Sequence, residues 1–431
     1  MKRPTIKRRD FLRSTLFATA VAPFLPSVVP PTVFGQNAPS NRIALGLIGM
    51  GLMMSGHHRG MLGRDDVQVL AVCDVYRDRR ERAKAQTEQV YSERKTRGDW
   101  KGCEAYNDYE RIMERDDIDA VFIVTPDHWH AIMSIAAMRS GKDVYVQKPM
   151  TLTVREGRAM SEAARQTGAI LQVGSQQRSE RAFRKACEMV RNGWIGKIHT
   201  IYTQLGEFPL PQTLPEEPVP EGFDYDRWLG PTPWYPYNAK RVLGNYGGGW
   251  RCFWEYGSRK NGDWGAHHFD IIQWALGMDH SGAVRYFPKG FEGAKYQSHV
   301  YADGTRVWKN HPVRDGHMIQ FVGETGEVMV SRGDRLDTIP ATLKDRPLSP
   351  SDIHLYESSH HEGNWLECIR TRRQPICPPE IGHRTATICH LNGIAERLNR
   401  PIQWDPVKEQ IIGDEYASRW LDRPRRTPFV I

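Results

Sequence analysis

Short apolar runs alternate with longer helical segments along residues 43–173, and this alternation constrains the fold more than any other feature. Apolar runs bounded by turn signals are typical of buried strands. A repeated strand–helix–strand order predicts a doubly wound parallel sheet with helices on both faces. We therefore predict an α/β domain over residues 41–175, with strands at Ile43–Ile48, Val67–Cys73, 119–124, 143–146 and 170–173.

The turn after the first strand carries the glycine-rich sequence Gly49-Met50-Gly51. Glycines at such a turn let the backbone approach a pyrophosphate at the start of the next helix. Asp74 follows the second strand 23 positions after Gly51, close to the spacing at which a carboxylate meets the adenosine ribose. Met54 stands where the pattern has its third glycine. These residues predict a Rossmann dinucleotide site that favours NAD, with NADP as the alternative because arginines follow Asp74 closely.

A lysine ends the predicted strand at 143–146, in the sequence Gln147-Lys148-Pro149. The proline stops the strand and pushes Lys148 towards an extended backbone. Because open parallel sheets bind ligands at the carboxyl ends of their strands, Lys148 is expected to point into that crevice. Desolvation there would weaken the preference of its ammonium for the charged form and let it take part in proton transfer. The alternative is an ordinary solvated lysine at a strand end.

A second polar cluster lies further along the chain, at Asp263, His267 and Asp270. The spacing i, i+4, i+7 predicts that the three side chains share one face of a helix. A carboxylate one turn from an imidazole can orient it and stabilise its charged form, as a general base requires. The alternative is a capping Asp263 with a hydrogen-bonded surface histidine. Trp264 lies within this cluster, and tryptophans suit stacking on sugar faces.

The sequence pattern changes after the first domain. Residues 198–204 alternate like a strand with one solvated face, and residues 318–330 form a hairpin pattern around a glycine-containing turn. These features predict a second, α+β domain over residues 176–405, with an open and largely antiparallel sheet. We expect a helix at 385–398 that packs back on the first domain, and a tail at 406–431 that wraps a neighbouring surface.

The amino-terminal residues 1–38 have a basic start followed by a short apolar stretch. The adjacent arginines of Arg8-Arg9-Asp10-Phe11-Leu12 precede that stretch, which is too short and too interrupted by prolines to span a bilayer. This order predicts a twin-arginine (Tat) signal read by the Tat export machinery, and an exported or periplasmic protein without a stable membrane anchor. The alternative is a disordered basic tail.

The charge and cysteine content exclude two classes of protein. The net charge is +8, and residues 1–38 contribute +5 of it, so the rest of the chain carries only +3. Such a small excess is not the charge pattern of a nucleic-acid-binding protein. The seven cysteines show no zinc-ligand spacing, and His128 and His130 lack a suitable third ligand nearby. We therefore expect neither a metal site nor disulfide bonds.

These motifs together resemble the glucose–fructose oxidoreductase, inositol dehydrogenase and MocA (Gfo/Idh/MocA) family over residues 41–405. The motifs that carry the resemblance are Gly49-Met50-Gly51, Asp74, Thr125-Pro126 with His130, Gln147-Lys148-Pro149, and Asp263 with His267 and Asp270. The family usually has Glu where this chain has Gln147, so a negative charge beside Lys148 is missing here. In the family the open sheet of the second domain often forms an oligomer interface, which implies a homo-oligomer, a dimer or a tetramer.

The resemblance also implies roles for individual residues. His267 would be the base, Lys148 would bind the substrate hydroxyl or relay a proton, and Asp263 would orient the substrate. The cofactor site would contain Gly49, Met50, Gly51, Asp74, Thr125, Pro126, His130, Lys148 and Gln176. Further substrate contacts would come from Arg178, Trp264 and Asp270.

From these expectations we predict an NAD(P)-dependent oxidoreductase that transfers a hydride between a sugar or polyol hydroxyl and nicotinamide. Because little free NAD exists outside the cytosol, an exported enzyme would hold its cofactor tightly and reset it within each cycle. One alternative is a redox-assisted glycosidase or lyase, which oxidises a hydroxyl transiently, eliminates an aglycone from its glycoside and restores the cofactor. Another is a non-catalytic sugar- or nucleotide-binding relative.

Overall fold

Two β-sheets organise the residues that the computed structural model describes, which are 41–210, 212–246 and 248–431. The predicted export signal at 1–38 lies outside these residues. The strands of the first sheet are β1 (Ile43–Ile48), β2 (Val67–Cys73), β3 (Glu104–Tyr106), β4 (Ala120–Ile123), β5 (Asp143–Val146) and β6 (Leu171–Val173). All pair in parallel, in the order β3-β2-β1-β4-β5-β6.

Helices connect these strands, as parallel pairing requires. They are α1 (Leu52–Leu62), α2 (Arg77–Val90), α3 (Ser92–Thr96), α4 (Glu110–Met113), α5 (His130–Arg139) and α6 (Val154–Thr167). Strands β1, β4 and β5 are buried along their whole length, which is why they appear in the sequence as continuous apolar runs. The predicted doubly wound α/β domain is confirmed, and β3 is a strand that the sequence did not reveal.

The second sheet has nine strands and mixed pairing. They are β7 (Ile198–Thr203), β8 (Arg285–Phe287), β9 (Ser298–Val300), β10 (Arg306–Lys309), β11 (Ile319–Gly323), β12 (Glu327–Ser331), β13 (Arg335–Ile339), β14 (Ile402–Asp405) and β15 (Gln410–Ile411). Their order is β13-β12-β11-β7-β10-β9-β8-β14-β15, and only β7 with β10 is parallel. The predicted α+β region with a largely antiparallel sheet is confirmed.

The remaining helices are α7 (Arg181–Arg191), α8 (Tyr225–Leu229), α9 (Ala239–Val242), α10 (Arg259–Asp263), α11 (Gly265–Leu276), α12 (His361–Thr371), α13 (Pro379–Leu398) and α14 (Glu415–Ser418). Helix α13 packs against α6 of the first domain and α11 of the second, and therefore joins the two. Helix α12 returns to the first domain, where the ring of Trp365 meets that of Phe122 edge-on at 4.8 Å. The domains are thus interleaved at their carboxyl-terminal helices.

The carboxyl-terminal tail runs back to the first domain. The Arg423 guanidinium donates hydrogen bonds to Glu156 Oε1 at 3.2 Å and to the carbonyl oxygen of His128 at 3.3 Å. The ring of Phe429 packs edge-on against Trp129 at 5.1 Å. These contacts support the turn that follows β4.

Three further properties concern the described residues as a whole. No helix in this part of the chain is both long and apolar enough to cross a membrane. Within the same residues, no group of three or more His, Cys, Asp or Glu side chains is placed to hold a metal ion. All seven cysteines lie in the described ranges and are free thiols.

Candidate functional site

A first cavity of about 450 Å³ lies at the carboxyl ends of β1, β2, β4 and β5. This is the edge at which an open parallel sheet binds its ligands. Its lining includes seven of the nine residues that the sequence assigned to the cofactor, namely Gly49, Met50, Gly51, Asp74, Thr125, Pro126 and Lys148.

The glycine turn between β1 and α1 has the geometry that a pyrophosphate requires. Gly49 has φ +87°, and a Cβ there would lie 2.7 Å from the carbonyl oxygen of Val124, so only glycine fits. Helix α1 begins after Gly51 with no side-chain cap and no acidic residue in its first turn. Its free N–H groups and the positive end of its dipole are therefore available to an anion. These features fit the phosphates of a dinucleotide.

Asp74 holds the turns around one end of the first cavity. Its carboxylate accepts hydrogen bonds from the backbone N–H of Met50 at 2.7 Å and of Tyr76 at 2.8 Å. Burial raises the pKa of Asp74, although Arg79 and the two backbone donors oppose this effect. Arg79 and Arg82 line the same cavity. The carboxylate favours ribose hydroxyls and the arginines accommodate a phosphate, so this end fits the adenosine part of either dinucleotide.

A second cavity of about 750 Å³ lies on the other side of Lys148. Met53, Lys148 and Tyr246 line both cavities and form their common boundary. Besides Lys148, the lining of the second cavity includes four residues that the sequence assigned to the site, namely Gln176, Asp263, Trp264 and His267. Lys148 is therefore accessible both from the first cavity, which contains the predicted cofactor residues, and from the second cavity, which contains His267.

Lys148 forms an ion pair with Asp263, across 115 positions of the chain. The two side chains are only 12% and 11% exposed, and Arg251 Nε lies 4.0 Å from the same carboxylate oxygen. Burial opposes ionisation of Asp263, but the charges of Lys148 and Arg251 outweigh it and lower its pKa. The prediction that Asp263 orients His267 is wrong, because this carboxylate is directed to Lys148 instead.

His267 presents a free imidazole to the second cavity. The residue is 4% exposed, and its Nδ1 has no hydrogen-bond partner among the described residues. Burial, followed by the positive charges of Lys148 and Arg332, holds the pKa of His267 well below its usual value. The imidazole is therefore neutral near pH 7 and able to accept a proton. The ring of Trp264 lies 6.0 Å away, centroid to centroid.

Arg178 and Asp270 contact each other and line neither cavity, so the two cavities give no support to the substrate contacts predicted for them. Arg178 Nε donates to Asp270 Oδ2 at 2.8 Å, and the side chains are 1% and 0% exposed. The guanidinium also pairs with Asp279 at 2.7 Å. The predicted single helix is interrupted, because α10 ends at Asp263 and α11 begins at Gly265. The two carboxylates have different partners, since Asp263 pairs with Lys148 and Asp270 with Arg178.

Two of the residues predicted to bind the cofactor, His130 and Gln176, do not line the first cavity. His130 is fully buried and lines neither cavity, with Nδ1 2.8 Å from the carbonyl oxygen of Pro149 and Nε2 3.0 Å from that of Thr125. It braces the two turns that carry Thr125 and Lys148. Gln176 lines the second cavity instead of the first and donates to the hydroxyl of Tyr145 at 3.2 Å.

The structure adds two residues around Gln147 that the sequence did not indicate, His57 and Glu362. The Oε1 of Gln147 accepts from the backbone N–H of Lys148 at 3.1 Å, and its Nε2 lies 2.8 Å from Nε2 of His57. The other ring nitrogen of His57 lies 3.2 Å from Glu362, and both residues line the second cavity. Glu362 therefore adds a carboxyl group to the lining of the cavity that Lys148 also lines, although residue 147 is neutral. These residues come from α1, the turn after β5 and α12, and no local spacing connects them.

Comparison with known proteins gives relatives and structural neighbours. A myo-inositol 2-dehydrogenase of Thermotoga maritima is 28% identical over 186 residues, which are 43% of this chain and 49% of that protein. A glycosyl hydrolase family 109 protein of Shewanella baltica is 30% identical over 209 residues, 45% of this chain and 44% of that protein. The chain thus spans about half the length of these curated relatives.

A similar fold occurs in the WlbA dehydrogenase of Bordetella pertussis, solved with NADH and UDP-GlcNAcA. The TM-score is 0.57 at 18% identity, and the match covers 84% of this chain and 99% of that one. Residues 43–175 match the model of an oxidoreductase family with an NAD-binding Rossmann fold. Residues 202–431 match the carboxyl-terminal alpha/beta domain of the same family. With more than half of its residues in these two matches, the chain belongs to the Gfo/Idh/MocA oxidoreductase family.

Proposed function

We propose that the protein is an NAD(P)-dependent oxidoreductase that acts on the CH–OH group of a sugar or polyol. The observation that carries the proposal is the meeting of two cavities at the Lys148 side chain. The first cavity has the glycine turn and open helix terminus that fit a dinucleotide. The second has a neutral imidazole at His267, whose Nδ1 has no hydrogen-bond partner within the described ranges. Dehydrogenase names among the relatives support the same reaction class.

Each residue at this boundary has a distinct task. Bound nicotinamide supplies the acceptor and donor for hydride. The neutral imidazole of His267 takes the proton of the substrate hydroxyl as a general base. The ammonium of Lys148 donates a hydrogen bond to the same oxygen as negative charge develops on it. Asp263 holds that ammonium in place through the ion pair, and its free lone pairs accept from a neighbouring hydroxyl.

We further propose export through the Tat pathway, supported by the arginine pair and apolar stretch of residues 1–38. An exported enzyme would lose a freely exchanging cofactor, so the dinucleotide is expected to stay bound and to be reset within each cycle. Mass spectrometry of nucleotide retained by protein purified from the periplasm tests both points. Unprocessed protein confined to the cytosol would contradict export.

The reaction is tested with a panel of sugars, polyols and glycosides, followed at 340 nm and by product analysis. Lys148→Ala and His267→Ala are each expected to reduce turnover by about 10²- to 10⁴-fold, the range of general acid–base catalysis. Dinucleotide affinity should stay within a few-fold. Replacement of the exposed Lys101 by Ala is the matched control. Unchanged turnover in the Lys148 variant would remove this residue from the mechanism.

Redox-assisted glycoside cleavage is the second candidate function, favoured by the glycosyl hydrolase family 109 relative. It needs the same base and the same dinucleotide, but the cofactor returns to its starting state after each cleavage. A net keto sugar indicates the oxidoreductase, whereas a cleaved glycoside without net redox change indicates the glycosidase.

A further inference from the structure

The first cavity contains a carboxyl group that the roles described so far do not use. Asp127 follows the Thr125-Pro126 turn, lines the first cavity and is 6% exposed. Its side chain has no hydrogen bond or ion pair with any residue that the structure describes. Burial raises the pKa of Asp127 well above its usual value. An unpaired carboxyl buried against a ligand cavity costs stability, and such groups are concentrated at functional sites.

The charged groups that face Asp127 come from four other segments. In order of influence they are Arg251, Asp263 at the end of α10, Lys148 after β5, and Arg423 of the tail. Asp127 therefore lies at the Lys148 end of the first cavity, whereas Asp74 is surrounded by Arg79 and Arg80 at the other end.

The neighbours of Asp127 in its own segment do not supply a compensating charge. Burial lowers the pKa of His128 to about 3 and that of His130 to about 4, so both rings are neutral near pH 7. Lys148 is already paired with Asp263, and Arg251 Nε approaches the same carboxylate at 4.0 Å. Asp127 is thus a buried acid whose ionisation depends on the charge of whatever enters the cavity.

The charge of a nicotinamide ring depends on its oxidation state, since the oxidised ring is positive and the reduced ring is neutral. A positive charge close to a buried carboxyl favours the carboxylate, and its removal favours the acid. The proposed function places the reacting ring beside Lys148, which is also the end of the cavity that Asp127 lines.

We propose that Asp127 is the proton store of the nicotinamide site, a carboxylate while the ring is oxidised and a carboxylic acid while it is reduced. This inference rests on the proposed function. With bound nicotinamide as the hydride acceptor, oxidation of an alcohol to a carbonyl compound would release the hydroxyl proton to His267. As the ring loses its positive charge, the Asp127 carboxylate would take up one proton, so that the proton released by the alcohol is balanced within the site. In the return step the hydride and a proton are given back, and no outside oxidant or buffer takes part.

The inference predicts a difference between the two cofactor states in binding alone. NAD⁺ should displace protons from the unaltered protein at pH values below the raised pKa of Asp127, and NADH should displace none. Titration calorimetry in two buffers of different ionisation enthalpy measures this proton count. By linkage, affinity for NAD⁺ should tighten by up to about tenfold per pH unit while affinity for NADH stays flat. Asp127→Asn should abolish both the proton release and the pH dependence.

Asp74→Asn is the matched control, because Asp74 is a buried carboxyl at the other end of the same cavity. It should weaken NAD⁺ and NADH alike and leave the proton release unchanged. Failure of the unaltered protein to bind either dinucleotide would overturn the proposed function. Binding of both without proton release, or release that persists in Asp127→Asn, would overturn only the role of Asp127. If the Asp127→Asn variant does not fold, the number of protons that the unaltered protein releases on binding NAD⁺ and NADH still tests the role of Asp127.

Discussion

Two ion pairs join a cation that follows a strand of the parallel sheet to a carboxylate of α10 or α11, and the two pairs have opposite surroundings. Lys148 meets Asp263 where two cavities join, so that both side chains remain accessible to ligands. Arg178 meets Asp270 in a site closed on all sides, where the cation also pairs with Asp279 and the carboxylate accepts from Thr385 at 3.1 Å.

The difference teaches that residue type and spacing do not separate an ion pair that opens on a cavity from one that is enclosed within the fold. Both pairs combine a cation placed after a strand of the parallel sheet with an aspartate of the same helical segment. A pair that is fully enclosed and saturated with partners is available only to hold the fold together. A pair that opens on a cavity keeps lone pairs and protons that a substrate can use. Replacing each carboxylate by its isosteric amide should separate the two roles.

Asp270→Asn should have the largest effect, on stability. It removes one of the charges that compensate the buried Arg178 guanidinium, and breaking such a pair costs about 3–5 kcal/mol. Because Asp279 still pairs with Arg178, we expect the lower end of this range in urea unfolding. Turnover per folded molecule should change little. A loss of activity without a loss of stability would contradict the structural role assigned to Asp270.

Asp263→Asn should have the second-largest effect, a decrease in turnover. The variant leaves Lys148 without its carboxylate partner, and we expect a decrease of about a hundredfold in kcat, the lower end for acid–base groups. Stability should fall less than in Asp270→Asn, because the Lys148 end of the pair is open to water in both cavities. Steady-state kinetics measures kcat, and urea unfolding of the same preparation measures the free energy of unfolding. Equal losses of stability in the two variants would remove the contrast.

Gly49→Ala tests the cofactor side of the comparison. At φ +87° a side chain is strained, and its Cβ would meet the Val124 carbonyl oxygen at 2.7 Å. We expect dinucleotide affinity to fall about tenfold, the equivalent of about 1.4 kcal/mol of strain. Gly56→Ala is the matched control, since no atom lies within 4 Å of a Cβ built in that position of α1. Similar affinities in both variants would exclude the glycine turn from binding.

His267→Gln should give the smallest effect, on the pH dependence of stability. The pKa of His267 is lowered in the folded state, so the unfolded chain binds a proton below pH 6.5 while the folded one does not. Stability is therefore lost as the pH falls from 6.5, by up to about 1.4 kcal/mol per pH unit for one such group. The variant should show a shallower slope than the unaltered protein, and His354→Gln, an exposed site, should not.

The first domain was predictable because its signals are local. A strand, a glycine turn, a helix and an acidic residue follow one another within about thirty residues, and the buried strands leave continuous apolar runs. The site in the second domain was predictable only as a set of residue types. Asp263 and His267 line the expected cavity, but Asp270 and Arg178 pair with each other outside it. The residue types and their spacing do not indicate which carboxylate meets which cation.

By itself, the sequence determined the parallel sheet, the glycine turn at Gly49 and the position of Lys148 at a strand end. Each follows from steric and hydrogen-bonding preferences that act over a few residues. Only the tertiary structure decided that Lys148 pairs with Asp263 and that the Asp127 carboxyl has no hydrogen bond or ion pair with any described residue. Partner choice and burial depend on how α10 and α11 pack against the strand ends. Residues more than a hundred positions apart meet there, and no local pattern encodes that meeting.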